Sequence, residues 1–377
     1  MEKIIFFIAL AIPFYTYIGY PMVLCFWARL KTKPIKKITI TPTVSLIIVV
    51  HNEANAIFDK LKNCQGLSYP QSLLEIIVSL DHCDDGTEAA VLQHADMRVK
   101  IVHSDGPKGK AAALNRARSA AKGDVLVFTD ARQALHPRAV QEMVANFSDP
   151  TVGGVTGELV RRDHSGKEDA GSMGYYWKYE KWIRRKESQI YAVIGVTGAI
   201  YAIRRELYVD IPHKTIVDDL YIPMQVVMQG YRVVFDTDAK AVDPITWGMQ
   251  REFGRKVRNL FGNYHLLSIM PQLLSFKKNP VCFQYISHKA CRLIVPYALA
   301  TLFLTNMLLV DQGGFYLVFG TLQIIWYLLA FSGMAKSSGD TLFVRVCSSV
   351  FAFMAMQWAA VLGLSLFITN KKGWIEK

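Results

Sequence analysis

The chain has 377 residues, 51% of them apolar, with a mean hydropathy of +0.19 and a formal net charge of +12. This length allows one large or two medium domains, and the apolar fraction is high for a soluble protein. The six cysteines form no C-x-x-C pair, which argues against a zinc site or a disulfide framework.

The N-terminal segment Ile4–Trp27 carries no charge and, as a helix, is long enough to cross about 30 Å of hydrocarbon. A signal peptide is the alternative. However, Pro13 and Pro21 interrupt the segment, and it lacks a convincing small-residue cleavage site. We therefore expect a transmembrane helix over residues 1–28.

After the N-terminal segment, short apolar runs alternate with helical patterns. Such alternation predicts a parallel sheet with right-handed crossovers, in an α/β domain at residues 42–250. The predicted strands are Val44–Val50, Glu75–Leu80, Val99–Val102 and Asp124–Phe128, and the predicted helices run to about Asn63, from Glu88 to Ala95 and from Lys110 to Ala121.

Three of these strands are followed by an acid, namely Glu53, Asp81 and Asp130. Ligands of open α/β sheets bind outside the carboxyl ends of the strands, so a rim with three acids indicates a functional site. A solvated turn also commonly carries an acid, which is the structural alternative for each one alone. No P-loop and no G-x-G-x-x-G motif follows a strand, so a nucleotide would be held differently.

A basic amphipathic stretch at residues 251–280 leads to three uncharged segments within residues 289–370. Each segment is long enough to be a candidate span, which gives four spans in all. The segments are Leu293–Val310, Gln312–Ala335 and Val346–Asn370. We expect the apolar residues of the amphipathic stretch to face lipid or the membrane helices; they are Leu260, Phe261, Leu266, Leu267, Ile269 and Met270.

Basic residues flank the α/β region on both sides, at positions 29–37 and 255–292. This pattern predicts a multi-pass protein of the inner membrane with its α/β domain in the cytoplasm. It also accounts for the net charge without nucleic acid as a partner. Four spans would place Lys371 and Lys372 outside the cytoplasm, against the tendency of basic residues to stay on the cytoplasmic side. The spans contain almost no pairs of polar residues, which disfavours a transporter.

Several short motifs follow one another at specific spacings. They are His51-Asn52-Glu53, Asp81 with Asp84-Asp85-Gly86-Thr87, Lys110–Asn115, Asp130, Val196–Ala199, Asp218-Asp219 and Arg255–Asn259. From about Val44 to Asn259 the sequence resembles the family-2 glycosyltransferases of the membrane-embedded group, which includes cellulose, hyaluronan and poly-N-acetylglucosamine synthases and related lipid glycosyltransferases. The resemblance implies a GT-A fold, that is, a Rossmann-like, mostly parallel sheet, and it places Val196–Ala199 after a strand.

The resemblance implies an inverting transferase that moves a sugar from a UDP-sugar to a carbohydrate or lipid-linked acceptor. In that family's pattern, Asp219 is the catalytic base with Asp218 beside it, and Asp130 binds Mg²⁺ or Mn²⁺. Donor binding then falls to Asn52, Glu53, Asp81, Lys110, Arg132, Arg255, Lys256 and Arg258. Other exopolysaccharide-assembly proteins are conceivable partners. For Asp218 and Asp219, capping of a helix N-terminus is the structural alternative.

Two positions depart from the family pattern. Arg132 occupies the place of the second aspartate of an Asp-x-Asp motif, which predicts weaker metal dependence. Arg132 then either supplies positive charge near the diphosphate or forms a salt bridge. Asn259 replaces a tryptophan of the processive synthases, which leaves three readings open: a polymer, a single sugar added to a lipid carrier, or an inactive sugar-nucleotide-binding subunit.

Overall fold

The computed structural model describes residues 1–162, 172–244, 249–334 and 341–369. Lys371, Lys372 and the predicted span ends Ala335 and Asn370 lie outside these ranges. The strands are β1 (Val44–Val50), β2 (Leu74–Leu80), β3 (Val99–Val102), β4 (Val125–Asp130), β5 (Ala134–Leu135), β6 (Val152–Arg162), β7 (Tyr201–Arg204) and β8 (Arg232–Pro244).

Thirteen α-helices occur in the described ranges. They are α1 (Glu2–Phe14), α2 (Tyr20–Leu30), α3 (Ala54–Gln65), α4 (Thr87–His94), α5 (Lys110–Ala120), α6 (Ala139–Ala145), α7 (Ser172–Ile190), α8 (Asp218–Met228), α9 (Met249–Ile269), α10 (Cys282–Tyr285), α11 (Cys291–Leu309), α12 (Gly314–Met334) and α13 (Leu342–Thr369). A π-helical turn joins α1 to α2 at Tyr15–Gly19, and another joins α10 to α11 at Ile286–Ala290.

The strands form one sheet in the order β3-β2-β1-β4-β7-β6-β8-β5. Strands β1 to β4 are parallel, as the alternating pattern predicts, and β6 is parallel to β8. Strand β7 is antiparallel to both β4 and β6, and β5 is antiparallel to β8. The sheet is therefore mixed but mostly parallel, as expected of a GT-A fold.

The sheet is buried on both faces, which explains why β1 is apolar at nearly every position. On one face, Ile47 belongs to a hydrophobic cluster with residues of α5 and α8, among them Leu114 and Val226. On the other face, Leu46 and Ile48 pack with residues of α3 and α6. Alternate residues of a strand point to opposite faces, so one apolar run serves both layers.

The expectation that a strand precedes Val196 is wrong. Residues 191–199 form turns, and β7 begins only at Tyr201. The apolar run there is buried, but its backbone hydrogen bonds go to different elements. Val193 N donates to Val233 O of β8, whereas Val196 N donates to Asp219 O of α8. Because these bonds follow no single neighbouring strand, no ladder forms.

Four helical segments are long and apolar enough to cross a membrane: Glu2–Leu30, Cys282–Gln312, Gly314–Met334 and Leu342–Thr369. They agree with the number of spans expected from the sequence. The expectation that the spans carry almost no internal polar pairs stays a prediction. His288, within the second segment, does contact two glutamates. Both glutamates belong to α7, which lies outside the spans, so the composition of the spans does not reveal the pairing.

The amphipathic helix α9 turns less of its apolar face to the membrane side than expected. Phe261 does approach Phe367 of α13, at 6.2 Å between ring centroids. Leu266 and Met270, however, are buried in the same hydrophobic cluster as α5 and α8. Helix α9 therefore packs between the α/β domain and a candidate membrane span.

Candidate active site

The carboxyl ends of the parallel strands bring Asp81 and Asp130 to one edge of the sheet. In the β1–β4 register, Val49 pairs with Asp130. In the β1–β2 register, Val50 pairs with Leu80, the residue before Asp81. The two aspartates therefore flank the end of β1, where an open α/β sheet binds its ligand.

Lys110 joins this edge through the first turn of α5. Gly109, just before the helix, has a φ of 119°, which a residue with a side chain rarely adopts. Its amide donates to both oxygens of Asp81, at 2.9 and 3.1 Å. This contact fixes the start of α5. Lys110 Nζ then lies 3.2 Å from Asp130 Oδ1 and 3.3 Å from Asp218 Oδ2.

The ammonium of Lys110 brings together the carboxylates of Asp130 from β4 and Asp218 from α8. Burial by itself would lower the pKa of Lys110, but attraction to Asp130, Asp218 and Asp219 outweighs burial and raises it. Its side chain still keeps 36% of its surface accessible, and that of Asp130 keeps 42%. The pair therefore lies at an open site, and Lys110 is positively charged at neutral pH.

Asp218 and Asp219 occupy the first turn of α8. Asp218 is buried, and Asp219 is partly buried. Burial and the neighbouring charge of Asp218 raise the pKa of Asp219 to about 6, while Lys110, Lys289 and Arg184 act in the opposite direction. A carboxylate with such a pKa is mostly ionised at neutral pH and is a stronger base than an ordinary aspartate.

The turn Val196–Ala199 lies directly against Asp219. Val196 N donates to Asp219 O at 2.9 Å. A Cβ placed on Gly198 would lie 3.8 Å from Asp219 Cβ and 3.8 Å from Lys110 Nζ. Thr197 Oγ1 accepts a hydrogen bond from Arg184 Nη1 of α7 at 2.7 Å. Glycine at 198 therefore lets the backbone of the turn lie close to Asp219 and Lys110.

Arg132 and Glu53 pair with each other at the rim. Arg132 Nε donates to the Glu53 carboxylate at 2.8 Å, and both side chains remain partly accessible. The salt-bridge alternative for Arg132 is therefore what the structure contains. Donor binding by these two residues stays a prediction, because their pairing does not exclude rearrangement around a ligand.

Asn52 and Asp81 are engaged in contacts that shape the rim. Asn52 has a φ of 53° and exchanges two hydrogen bonds with Asp84, one from Nδ2 and one from the Asp84 amide. Asp81 is buried, and besides Gly109 its carboxylate lies 3.2 Å from His82 Nδ1. Their predicted role in nucleotide binding remains a prediction.

The basic residues of α9 lie farther along the membrane-side helix. Arg255 pairs with Glu252, and Lys256 Nζ lies 3.8 Å from the same carboxylate. Lys256 also lies over the rings of Tyr176 and Trp177, at 5.3 and 5.5 Å. Arg258 is exposed. The structure thus ties Lys256 to α7, and its contact with a diphosphate, like that of Arg255 and Arg258, stays a prediction.

Among the described residues, no three His, Cys, Asp or Glu side chains cluster as metal ligands. Asp130 nevertheless presents a partly accessible carboxylate, with Lys110 near one of its oxygens. Mg²⁺ is commonly held by one or two carboxylates together with substrate phosphates and water. Asp130 therefore fits a divalent ion that shares its coordination with a donor diphosphate.

Lys60 is a site-adjacent residue that sequence reasoning missed. Its buried ammonium donates to Thr129 Oγ1 at 2.7 Å and to Gln133 O at 2.6 Å. It thereby connects the two sides of the segment that carries Asp130 and Arg132. Burial lowers the pKa of Lys60 to about 8. The sequence contains a signal for it, because Lys60 falls at helical spacing among the apolar residues Ile57 and Cys64.

Arg184, Glu180 and Glu187 of α7 were also missed. Helical spacing places the three on one face of α7. Arg184 contacts the turn beside Asp219, and the two glutamates contact His288. The sequence signal near them is the aromatic run at residues 175–182, which marks this helix but not its charged face.

The comparisons with known proteins agree with this geometry. Residues 45–211 match the family model described as glycosyl transferase family 2. The protein named "Probable glycosyltransferase YdaM" of Bacillus subtilis (strain 168) is 27% identical over 267 residues, which are 64% of this chain and 60% of that protein. The poly-beta-1,6-N-acetyl-D-glucosamine synthase of Staphylococcus aureus (strain MSSA476) is 26% identical over 198 residues, which are 51% of this chain and 48% of the synthase.

The matched regions thus cover between about half and three fifths of these curated relatives. Among solved structures, the mannosyltransferase PcManGT of Pyrobaculum calidifontis, in complex with GDP-mannose and Mn²⁺, superimposes with a TM-score of 0.75 at 24% identity. The superposition covers 98% of this chain and 100% of that one. This likeness extends over the sheet and the long apolar helices. Residues 45–211 therefore match a glycosyl transferase family 2 domain, and the chain has a GT-A fold.

Proposed function

We propose that this chain is an inverting glycosyltransferase of the membrane surface. It moves a sugar from a UDP-sugar to a hydroxyl group of a polysaccharide or lipid-linked acceptor, and an α-linked donor yields a β-glycoside. The observation that carries the proposal is the arrangement of Asp219, with its raised pKa, beside the Lys110–Asp130 pair and the turn at Gly198.

In the proposed reaction, Asp219 accepts the proton of the acceptor hydroxyl as that oxygen attacks the anomeric carbon. Asp218 is buried next to it and raises its pKa, which makes Asp219 a better base near neutral pH. The absence of a side chain at Gly198 is proposed to let the acceptor approach Asp219. Holding the acceptor hydroxyl and the donor sugar in line also speeds the reaction, because two reactants fixed in position need not meet by random collision.

The leaving nucleoside diphosphate gains negative charge, which cationic groups must stabilise. Lys110 lies next to Asp130 and provides one such charge. A Mg²⁺ or Mn²⁺ ion held by Asp130 would neutralise phosphate oxygens when bound. Arg132, Arg255, Lys256 and Arg258 are further candidates, and guanidinium groups suit phosphate oxygens because they bind at two points.

The proposed location is the cytoplasmic face of a membrane, with four spanning helices. It rests on the four long apolar segments and on the basic residues that flank the α/β domain. Helix α9 packs between that domain and α13, which puts the site close to the membrane. A lipid-linked acceptor or a growing chain can reach such a site along the membrane surface.

The sugar is best identified with a panel of donors. The staphylococcal relative is named as a synthase of an N-acetylglucosamine polymer, and the mannosyltransferase contains GDP-mannose. The panel therefore comprises UDP-N-acetylglucosamine, UDP-glucose, UDP-galactose, UDP-glucuronate and GDP-mannose. Release of UDP from one of the UDP-sugars is expected. Release of GDP alone would contradict the proposed donor class.

The base is tested with Asp219→Asn in nanodiscs, with Asp210→Asn as the matched control because Asp210 is exposed. Removal of a general base commonly lowers the rate by about 10²–10⁴-fold. We expect that loss for Asp219→Asn and wild-type transfer for Asp210→Asn. Transfer by Asp219→Asn near the wild-type rate would refute the assignment.

Addition of a single sugar to a lipid carrier is the second candidate function. The observation that favours it is Asn259, which is exposed on α9 where processive synthases carry a tryptophan. Product length from a radiolabelled donor separates the two outcomes. A ladder of products indicates a polymer, and one band indicates a single addition. Nucleotide release above background would exclude an inactive binding subunit.

A further inference from the structure

A buried ionic cluster joins α7 to the membrane helices. His288 Nε2 lies 3.1 Å from Glu180 Oε2, and His288 Nδ1 lies 2.8 Å from Glu187 Oε1. All three side chains are almost completely inaccessible to solvent. Arg292 and Tyr20 complete the group that we call the His288 cluster, with Arg292 Nη1 at 2.6 Å from Glu180 Oε1 and Tyr20 OH donating to Glu187 at 2.7 Å.

Both ring nitrogens of His288 lie within hydrogen-bond distance of a glutamate carboxylate. Ionised carboxylates only accept hydrogen bonds, and each ring nitrogen faces one. A ring that donates twice is the imidazolium form. Burial would raise the pKa of Glu180, but Arg292 and His288 outweigh burial and hold it well below its usual range. The cluster thus sets the two carboxylates of α7 against the His288 ring and the Arg292 guanidinium.

The charged and titratable groups that face this cluster come from several elements. Within the described residues, α2 supplies Tyr20, α7 supplies Tyr176, Glu180 and Glu187, and the segment 286–292 supplies Lys289 besides His288 and Arg292. Lys289 acts electrostatically on both Glu180 and Asp219. The cluster therefore borders the proposed active site.

Helix α7 links the cluster to Asp219 through direct contacts. Arg184 lies between Glu180 and Glu187 in sequence and on the same helical face. Its guanidinium donates to Thr197 Oγ1 at 2.7 Å. The neighbouring Val196 amide donates to Asp219 O, and Gly198 faces the Asp219 side chain. The register of α7 therefore sets the position of the turn beside Asp219.

We propose that His288 is a positioning residue for glycosyl transfer. Its ring, bound by Glu180 and Glu187, fixes α7 against the membrane helices and so holds Arg184 and the Thr197–Gly198 turn in place at Asp219. The inference rests on the proposed function for its catalytic consequence, but the mechanical link itself does not depend on it. A pair of carboxylates two helical turns apart and bound to one ring defines both the rotation and the axial position of α7.

The test compares His288→Gln, Glu187→Gln and the double variant in nanodiscs. The first two each leave one buried charge without its partner, whereas the double variant restores charge balance with amides that can still hydrogen-bond. Breaking a buried pair is costly, and replacing both partners costs much less. His136→Gln is the control, because His136 is exposed and lies in the segment after β5.

We expect His288→Gln to lower kcat for transfer at least roughly tenfold and to leave the dissociation constant for the donor nucleotide within about twofold, since the donor edge is not displaced. The double variant should recover to within about threefold of wild type. Equal losses in donor affinity and kcat would indicate general destabilisation and overturn the proposal. A double variant that is no more active than His288→Gln would also overturn it.

Hydrogen exchange gives a second readout without substrate. In His288→Gln the amides of residues 184–199 should exchange faster than in wild type, and they should return towards wild type in the double variant. Unchanged exchange in this segment would overturn the link. If wild type transfers no sugar, the proposed function fails, while exchange still decides the positioning role. If His288→Gln does not fold, Glu187→Gln and the double variant provide the same comparison.

Discussion

Arg132, two residues after Asp130 in the chain, donates a hydrogen bond from Nε to the Glu53 carboxylate at 2.8 Å. The position that carries a second aspartate in an Asp-x-Asp motif thus carries a cation that is paired across the rim. Asp130 is left as the carboxylate of this motif that can hold an ion. The pair is partly accessible, so its net strength is modest and ligand binding can change it.

The first prediction concerns the metal. Wild type should lose activity in EDTA and regain it with Mn²⁺ or Mg²⁺, with half-maximal activation at a higher metal concentration than in the variant Arg132→Asp/Glu53→Gln. The variant adds a carboxylate ligand and removes the acid that would repel it. Titration of metal against initial rate measures both values.

Arg138→Asp is the control for this charge change, because Arg138 is exposed and lies beyond β5. Its activation by metal should equal that of wild type. Activity of wild type that is unchanged in EDTA would contradict the metal prediction and would make Arg132 the better candidate for the charge near the diphosphate.

The second prediction concerns pH. Asp219 must be ionised to accept a proton, and its pKa is raised to about 6. Activity should therefore fall about tenfold for each pH unit below that value and level off above it. This fall at low pH, the acid limb, is measured from the dependence of kcat/KM on pH. A plateau that continues down to pH ~4, where an ordinary aspartate titrates, would contradict the assignment.

The third prediction concerns Lys110. Lys110→Met should lower kcat by about 10²–10³-fold, as the loss of one stabilising charge on a leaving group commonly does. It should also move the acid limb to higher pH, because Lys110 lowers the pKa of Asp219. Lys110→Arg keeps the charge and should leave the limb near its wild-type position. An acid limb that shifts downward in Lys110→Met would contradict the geometry.

The fourth prediction concerns the space beside Asp219. Gly198→Ala should be tolerated, because the added Cβ meets its neighbours at ordinary contact distance, 3.8 Å. Gly198→Leu should fill the space and reduce transfer about 100-fold by displacing the acceptor. Its melting temperature should stay near that of Gly198→Ala. Equal activity of the two variants would place the acceptor elsewhere.

The parallel half of the sheet could be predicted from the sequence. Strands β1 and β4 are nearly continuous apolar runs, since a strand buried on both faces needs apolar residues on both. The acids after these runs could also be placed, because the ends of parallel strands share one edge. Asp81 and Asp130 therefore lie where the pattern indicated.

The segment before Val196 could not be predicted in the same way. It is apolar because it is buried, but its hydrogen bonds go separately to β8 and α8. Burial by itself does not distinguish a strand from a buried turn. Leu266 and Met270 present the same difficulty, because apolar residues on α9 suit a protein core as well as a membrane.

The sequence by itself determined the α/β class and the four apolar segments, since these follow from local patterns, and its resemblance to the family implied the candidate roles of Asp130 and Asp219. Only the tertiary structure decided which charges meet. Arg132 pairs with Glu53, Lys110 joins Asp130 to Asp218, and His288 binds two glutamates of α7. The physical reason is that an ion pair depends on distances between residues far apart in the chain, and the packing of helices on the sheet sets those distances.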